Sequence, residues 1–260
     1  MSGRSVIITG AASGVGAACA KRFAEAGDHL ILADADEDAG AAVAADLAEK
    51  GAKVAFVHAD TAKRLDVHNI IAEALDANGR IDVLAHTVIR RHTSPFLETS
   101  EEDFDQVINA NLRGAFLMSQ AVAKQFVKQA EAETSSSGRG VIVNIGSVEA
   151  VTADADHVAF AASQGGLHQL TKAVAMALSP HGARVNTVGL GSIKGEMDES
   201  AKPKKVSAAT PLKRIGDPEE AANVVFFLAG EDASYVTGQT IYVDGGRLAQ
   251  FDSGSTKTDD

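Results

Sequence analysis

Residues 6–27, VIITGAASGVGAACAKRFAEAG, pass from a β-branched run through a glycine-rich turn into an Ala-rich amphipathic segment. A strand, a tight turn and a helix in that order open a βαβ unit, and this constrains the fold more than any other feature of the chain. Gly10, Gly14 and Gly16 let the backbone approach closely, and the amides at the helix N-terminus are arranged to meet a phosphate charge. The next strand, HLILAD, ends in Asp34, eighteen residues past Gly16. A carboxylate there can accept hydrogen bonds from ribose hydroxyls and repels a 2′-phosphate. No Arg or Lys lies at positions 11–15 or 33–38 to hold such a phosphate. The expected ligand is therefore a dinucleotide, NAD(H) in preference to NADP(H). The plainer reading is a turn that only joins strand to helix.

The same alternation continues along the chain. Short apolar runs at 6–9, 29–33, 53–58, 83–86, 140–145, 184–188 and 240–243 read as strands. Helical patterns lie near 15–26, 38–50, 66–78, 102–131, 159–179 and 218–229. Strands alternating with helices predict an α/β fold: one doubly wound, Rossmann-like parallel sheet of about seven strands with helices on both faces. A single dinucleotide-binding domain over residues 1–251 accommodates all of these elements. Residues 132–140, AETSSSGRG, read as a flexible connection, and 252–260 as a disordered tail. Residues 199–216 interrupt the pattern with polar sequence and read as a lid or a solvated loop.

Aromatic residues make up 5% of the chain and Trp is absent, so Ala, Val, Leu and Ile must build the core. The net charge of −11 argues against a nucleic-acid partner, which a basic face would attract. No apolar run is long enough to span a bilayer, and the N-terminal MSGRSVIITG does not read as a signal peptide. The single Cys19 falls on the first helix, where a buried thiol is expected. These features favour a cytoplasmic location. No spacing of His, Cys and acidic residues resembles a metal site.

TGAASGVG, residues 9–16, resembles the TGxxxGxG motif of the short-chain dehydrogenase/reductase family, and the resemblance runs from about residue 4 to 246. VHAD at 57–60, NANLRGAF at 109–116, VIVNIGS at 141–147 and the segments 170–188 and 217–246 carry it onward. The resemblance implies dinucleotide contacts from Thr9, Gly10, Ser13, Gly14, Val15, Gly16, Asp34, Asp60 and Thr61. It also implies a proton relay supported by Asn111 and Ser147. Homotetramers formed through the helices at 102–131 and 159–179 and the last strand are a further implication.

Family enzymes pass hydride between nicotinamide and a carbonyl or alcohol while a Tyr passes the proton. A Lys one turn later on the same helical face lowers the Tyr pKa and holds the ribose. In HVAFAASQGGLHQL, residues 157–170, the matching positions are Phe160 and Gln164. Neither can donate a proton or hold a charge at neutral pH. The chain's two tyrosines, Tyr235 and Tyr242, fall in its C-terminal stretch. Other departures lie nearby. Ile89 stands where the family has a glycine, Leu190 where it has a Pro, and Gly195 where a Thr touches the carboxamide.

His157 is the candidate replacement acid, against a solvent-facing loop histidine. Arg90, Arg91 and Lys194 are candidates for a cationic rim that draws an anionic ligand, against a solvated basic loop. His86, at a strand end, is expected to be a core histidine. Two functions stay open. The first is a nucleotide-binding pseudoenzyme serving as sensor, scaffold or non-catalytic partner. The second is an NAD-dependent oxidoreductase with an atypical site built on Ser147, Asn111 and His157.

Overall fold

The computed structural model describes residues 3–12, 14–132, 140–197 and 203–250. The expectations placed on Ser13, on most of the 132–140 connection and on the tail lie outside those residues. Seven strands form one sheet: β1 (Ser5–Thr9), β2 (His29–Asp34), β3 (Lys53–His58), β4 (Val83–His86), β5 (Val141–Ser147), β6 (Arg184–Leu190) and β7 (Thr240–Val243). Their order is β3-β2-β1-β4-β5-β6-β7, and every pairing is parallel. This is the expected doubly wound α/β architecture. The winding reverses between β1 and β4, which leaves a crevice at their C-terminal ends.

Both faces of the sheet are covered, which explains why its central strands are apolar throughout. Val6 and Ile8 of β1 pack with α1 (Gly14–Glu25) and α8 (Pro218–Ala229). Ile7, between them, packs on the other side with α3 (Arg64–Asn78) and α5 (Gly114–Ala132). Each fully buried Ile or Phe contributes roughly 1.5–3 kcal/mol. Cys19 is fully buried on α1, and burial pushes its thiol pKa up, so it is a core residue as expected.

Helix ends follow local chemistry. Asp36 caps α2 (Glu37–Glu49) by accepting from the Ala39 amide at 3.0 Å, and Ser100 caps α4 (Glu101–Ile108) in the same way. Gly79 closes α3 in the left-handed region at φ +70°. Pro218 stands in the first turn of α8, while Glu220 reaches back to the Asp217 amide.

Two elements differ from the sequence pattern. The continuous helix expected over 102–131 is divided by a π-helical turn, Asn109–Arg113, between α4 and α5. That widened turn carries Asn111 inward, where its carboxamide bonds both backbone groups of Arg90. The polar stretch at 199–216 is not all loop, because Pro203–Ala209 forms the short helix α7. Helix α6 (Val158–Leu178) carries Phe160, Ser163 and Gln164.

His86 ends β4 as a core residue, with Nδ1 2.7 Å from Thr9 Oγ1 and Nε2 unpartnered among the described residues. Burial pushes its pKa down to about 4. The unfolded chain takes up this proton near pH 6.5, so the stability linked to neutral His86 is complete above that pH and lost as pH falls toward 4. His86→Asn is expected to remove up to about 3 kcal/mol of the acid-side loss. Urea unfolding of both proteins at pH 7 and pH 4.5 checks this, and equal losses in the two would refute it.

Candidate functional site

Gly10 ends β1 at φ +74°, a left-handed conformation that favours glycine. Gly16 lies so close below it that a Cβ there would sit 1.9 Å from the Gly10 carbonyl oxygen. The absent side chain lets α1 begin directly against β1 with its first amides facing the crevice. Thr87, just past β4, fills the switch point by donating from its hydroxyl to the Thr9 carbonyl at 2.7 Å.

Asp34 lies at the end of β2 with its carboxylate fixed. Oδ2 accepts from the Ala12 amide and Oδ1 from the Asp36 amide, each at 2.9 Å. Asp60 follows β3, and its Oδ1 accepts from Ala62 at 2.9 Å. A cavity of about 210 Å³ is lined by Gly10, Asp34, Asp60, Thr61, Ile89 and Glu196, among others. Four of the expected cofactor residues, Gly10, Asp34, Asp60 and Thr61, line this one cavity, and the sequence reading missed Glu196. Its Oε1 accepts from the Val15 amide at 2.8 Å, at the start of α1. Burial raises its carboxyl pKa, while the Val15 hydrogen bond and the Arg91 charge partly oppose that rise.

The reaction half is assembled from β5, α6 and the loop after β4. Ser147 ends β5, buried, and its Oγ accepts from the Glu149 amide at 3.2 Å. Asn111 donates from Nδ2 to Ser163 Oγ at 2.9 Å, and Ser163 in turn donates to the Phe160 carbonyl at 2.7 Å. Asn111 thus ties the loop after β4 to α6. Phe160 and Gln164 lie one turn apart on α6 and are 0% and 1% exposed. The Gln164 Oε1 has no partner among the described residues.

Arg91 lies with its guanidinium carbon 4.1 Å from the Phe160 ring centroid, a cation–π contact. It also pairs with Glu149 at 3.5 Å and donates from Nε to the Glu196 carbonyl at 2.9 Å. His157 is not a solvent-facing loop residue. Its Nδ1 is 3.2 Å from both oxygens of Glu149, and its side chain is 17% exposed. Arg90 donates to Gln106, and Lys194 pairs with Asp217 at 2.5 Å, so each of the three rim cations is held by a different set of partners. Ile89 packs against Phe160 and Leu190 is fully buried, whereas Gly195 takes a turn at φ +78° beside Gly14. Tyr242 packs over Gly189 and Tyr235 is fully exposed, so neither stands on α6. Among the described residues no group of His, Cys and acids is placed to hold a metal.

The family model described as Enoyl-(Acyl carrier protein) reductase matches residues 10–247. A 3-oxoacyl-[acyl-carrier-protein] reductase of Thermotoga maritima is 34% identical over 249 residues, covering 95% of this chain and 98% of its own. The chain belongs to the short-chain dehydrogenase/reductase family. A glucose 1-dehydrogenase of Gluconobacter oxydans is 33% identical, with 94% of this chain and 91% of that one covered. Among solved members of the short-chain dehydrogenase/reductase family, one from Mycobacterium marinum superimposes with a TM-score of 0.89 at 29% identity, covering 96% and 97% of the two chains. A Brucella melitensis 3-ketoacyl-(acyl-carrier-protein) reductase, solved with NADH, gives 0.87 at 29% identity, covering 94% and 98%. Homologues thus bind nicotinamide dinucleotides. Among the described residues no helix is long and apolar enough to cross a membrane.

A side chain at Gly16 would meet backbone, which cannot swing aside. Gly16→Ala is expected to cost about 1–3 kcal/mol of stability, the range for overpacking a close contact, and to weaken dinucleotide binding. Denaturant unfolding and calorimetry read the two effects. A variant as stable as the wild type would show that the β1–α1 approach is not a tight constraint.

Proposed function

We propose that this chain is an NAD(H)-binding short-chain dehydrogenase/reductase in which Phe160 and Gln164 take the places of the catalytic Tyr and Lys. On this reading it works as a nucleotide sensor, a scaffold or the non-catalytic partner of an active relative. The observation that carries the proposal is the buried pair on α6. Phe160 has the volume of a tyrosine without its proton, and an arginine lies over its face. Gln164 offers hydrogen-bonding groups and no charge. General acid–base assistance is worth roughly 10²–10⁴-fold, so turnover through this pair falls by about that factor.

The glycine cradle and the fixed Asp34 carboxylate fit the phosphates and adenosine ribose of a dinucleotide. They support NAD(H) over NADP(H), because a 2′-phosphate would meet the charge of Asp34. Asn111, Ser147 and Gln164 would line the nicotinamide side, beside Ile89. The bound cofactor would supply or accept hydride at a carbonyl or alcohol carbon. Exposed Phe104 and Phe116 on α4 and α5, and Met176 on α6, support assembly into a homotetramer, which light scattering reads directly. The buried lone thiol and the acidic balance fit a cytoplasmic protein.

One observation favours a second reading, an oxidoreductase with an atypical site. The Glu149 carboxylate holds His157, and the Glu149 amide bonds Ser147. A histidine oriented by a carboxylate can serve as a general acid or base. On this reading Arg91 or Arg90 meets an anionic group of the substrate.

Calorimetric titration with NADH and NADPH tests the shared premise. Micromolar NADH binding with NADPH much weaker is expected, and no heat from either would end the dinucleotide reading. The double substitution Phe160→Tyr with Gln164→Lys separates the two functions. If the chain is non-catalytic only because of this pair, carbonyl reduction should appear or rise by roughly 10²–10⁴-fold over the wild type. Appreciable wild-type turnover abolished by His157→Ala would favour the atypical enzyme instead.

A further inference from the structure

Glu196 reaches the N-terminal amides of α1, a kind of position that favours anions. Its Oε1 takes the Val15 amide at 2.8 Å, among the first N–H groups of α1, which point into the crevice. A Cβ placed on Gly14 would lie 2.0 Å from that same oxygen, so the carboxylate fills the space that glycine leaves open. A second side chain cannot enter there, and neither can a phosphate oxygen while Glu196 remains. Asp34 and Asp60 line the same cavity, so an incoming dinucleotide meets three carboxylates there.

The backbone of Glu196 is held independently of its side chain. Its amide donates to the Ile193 carbonyl at 3.1 Å, and its carbonyl accepts from Arg91 Nε at 2.9 Å. Gly195 makes the preceding turn at φ +78°, which lays residue 196 over Gly14. With its backbone held, the carboxylate would leave the cradle by rotation about its own side-chain bonds.

We infer that Glu196 is a built-in competitor for the dinucleotide phosphates, a carboxylate that occupies the anion cradle of α1 and must swing out before nucleotide enters. This rests on the dinucleotide-binding reading above. The helix N-terminus favours either anion over none, and only one fits. Nucleotide affinity is accordingly the difference between two anions at a single site. Each molecule of NADH bound must first break the charge-assisted hydrogen bond from Val15.

Two substitutions test reach and charge separately. Glu196→Gln keeps the length and removes the charge. Glu196→Asp keeps the charge and shortens the side chain by one methylene, too short to hold the Val15 amide from the same backbone position. Calorimetry with NADH at pH 7 is expected to show both variants binding roughly ten- to hundred-fold more tightly than the wild type, the worth of one charge-assisted hydrogen bond. Thermal unfolding confirms that each variant is folded. Tightening by Gln alone, with Asp unchanged, would reduce Glu196 to a distant charge and overturn the competitor role. Unchanged affinity in both variants, with wild-type binding intact, would overturn it while the dinucleotide reading survives. If no protein binds NADH, the dinucleotide reading fails and this inference falls with it.

Discussion

The approach of Gly16 to the Gly10 carbonyl fixes how α1 leaves the sheet, and much of the site is organised around it. With no side chain between them, helix and strand pack at backbone distance. The N-terminal amides of α1 then open into the crevice where the winding of the sheet reverses. Thr87 closes the floor of that crevice from β4, and Asp34 closes its side from β2. The resulting concave patch of N–H groups favours an anion. In this chain Glu196, arriving from beyond β6, supplies it.

The reaction half follows a different physical logic. On α6 the buried pair Phe160 and Gln164 presents no charge. The positive charge here is that of Arg91 on the opposite wall, which covers Phe160 and pairs with Glu149. The charges in this part of the site largely satisfy one another. Asn111 spends its carboxamide on Arg90 and Ser163 and braces the loop after β4 against α6. Such a network stabilises one arrangement of the pocket. Within it Glu149 holds His157 as well.

Arg91 links the two halves by contacting the Glu196 carbonyl on one side and the Phe160 ring on the other. Residues far apart in the chain, from the loop after β4, the start of α6 and the turn after β6, meet at this guanidinium. Its position links the turn at Glu196 to the start of α6.

The sequence by itself determined the strand–helix alternation, the glycine turn, Asp34 and the places of Phe160 and Gln164. These features are written in local pattern: a period of two or of 3.6, a left-handed turn that suits glycine, and a residue type at a strand end. It also placed His86 in the core, because a polar residue ending a buried run has few other locations. The π-helical turn around Asn111 was not legible, since residues 102–131 keep one helical period and the turn widens only where the carboxamide meets Arg90. Nor did Glu149, Glu196 or the true surroundings of His157 announce themselves. A carboxylate's partner is chosen through space, across 181 residues between Glu196 and Val15, and no local spacing carries that information. The tertiary structure alone decided which anion sits in the cradle and which cation lies over the phenylalanine. Both depend on loops that packing, rather than periodicity, brings together.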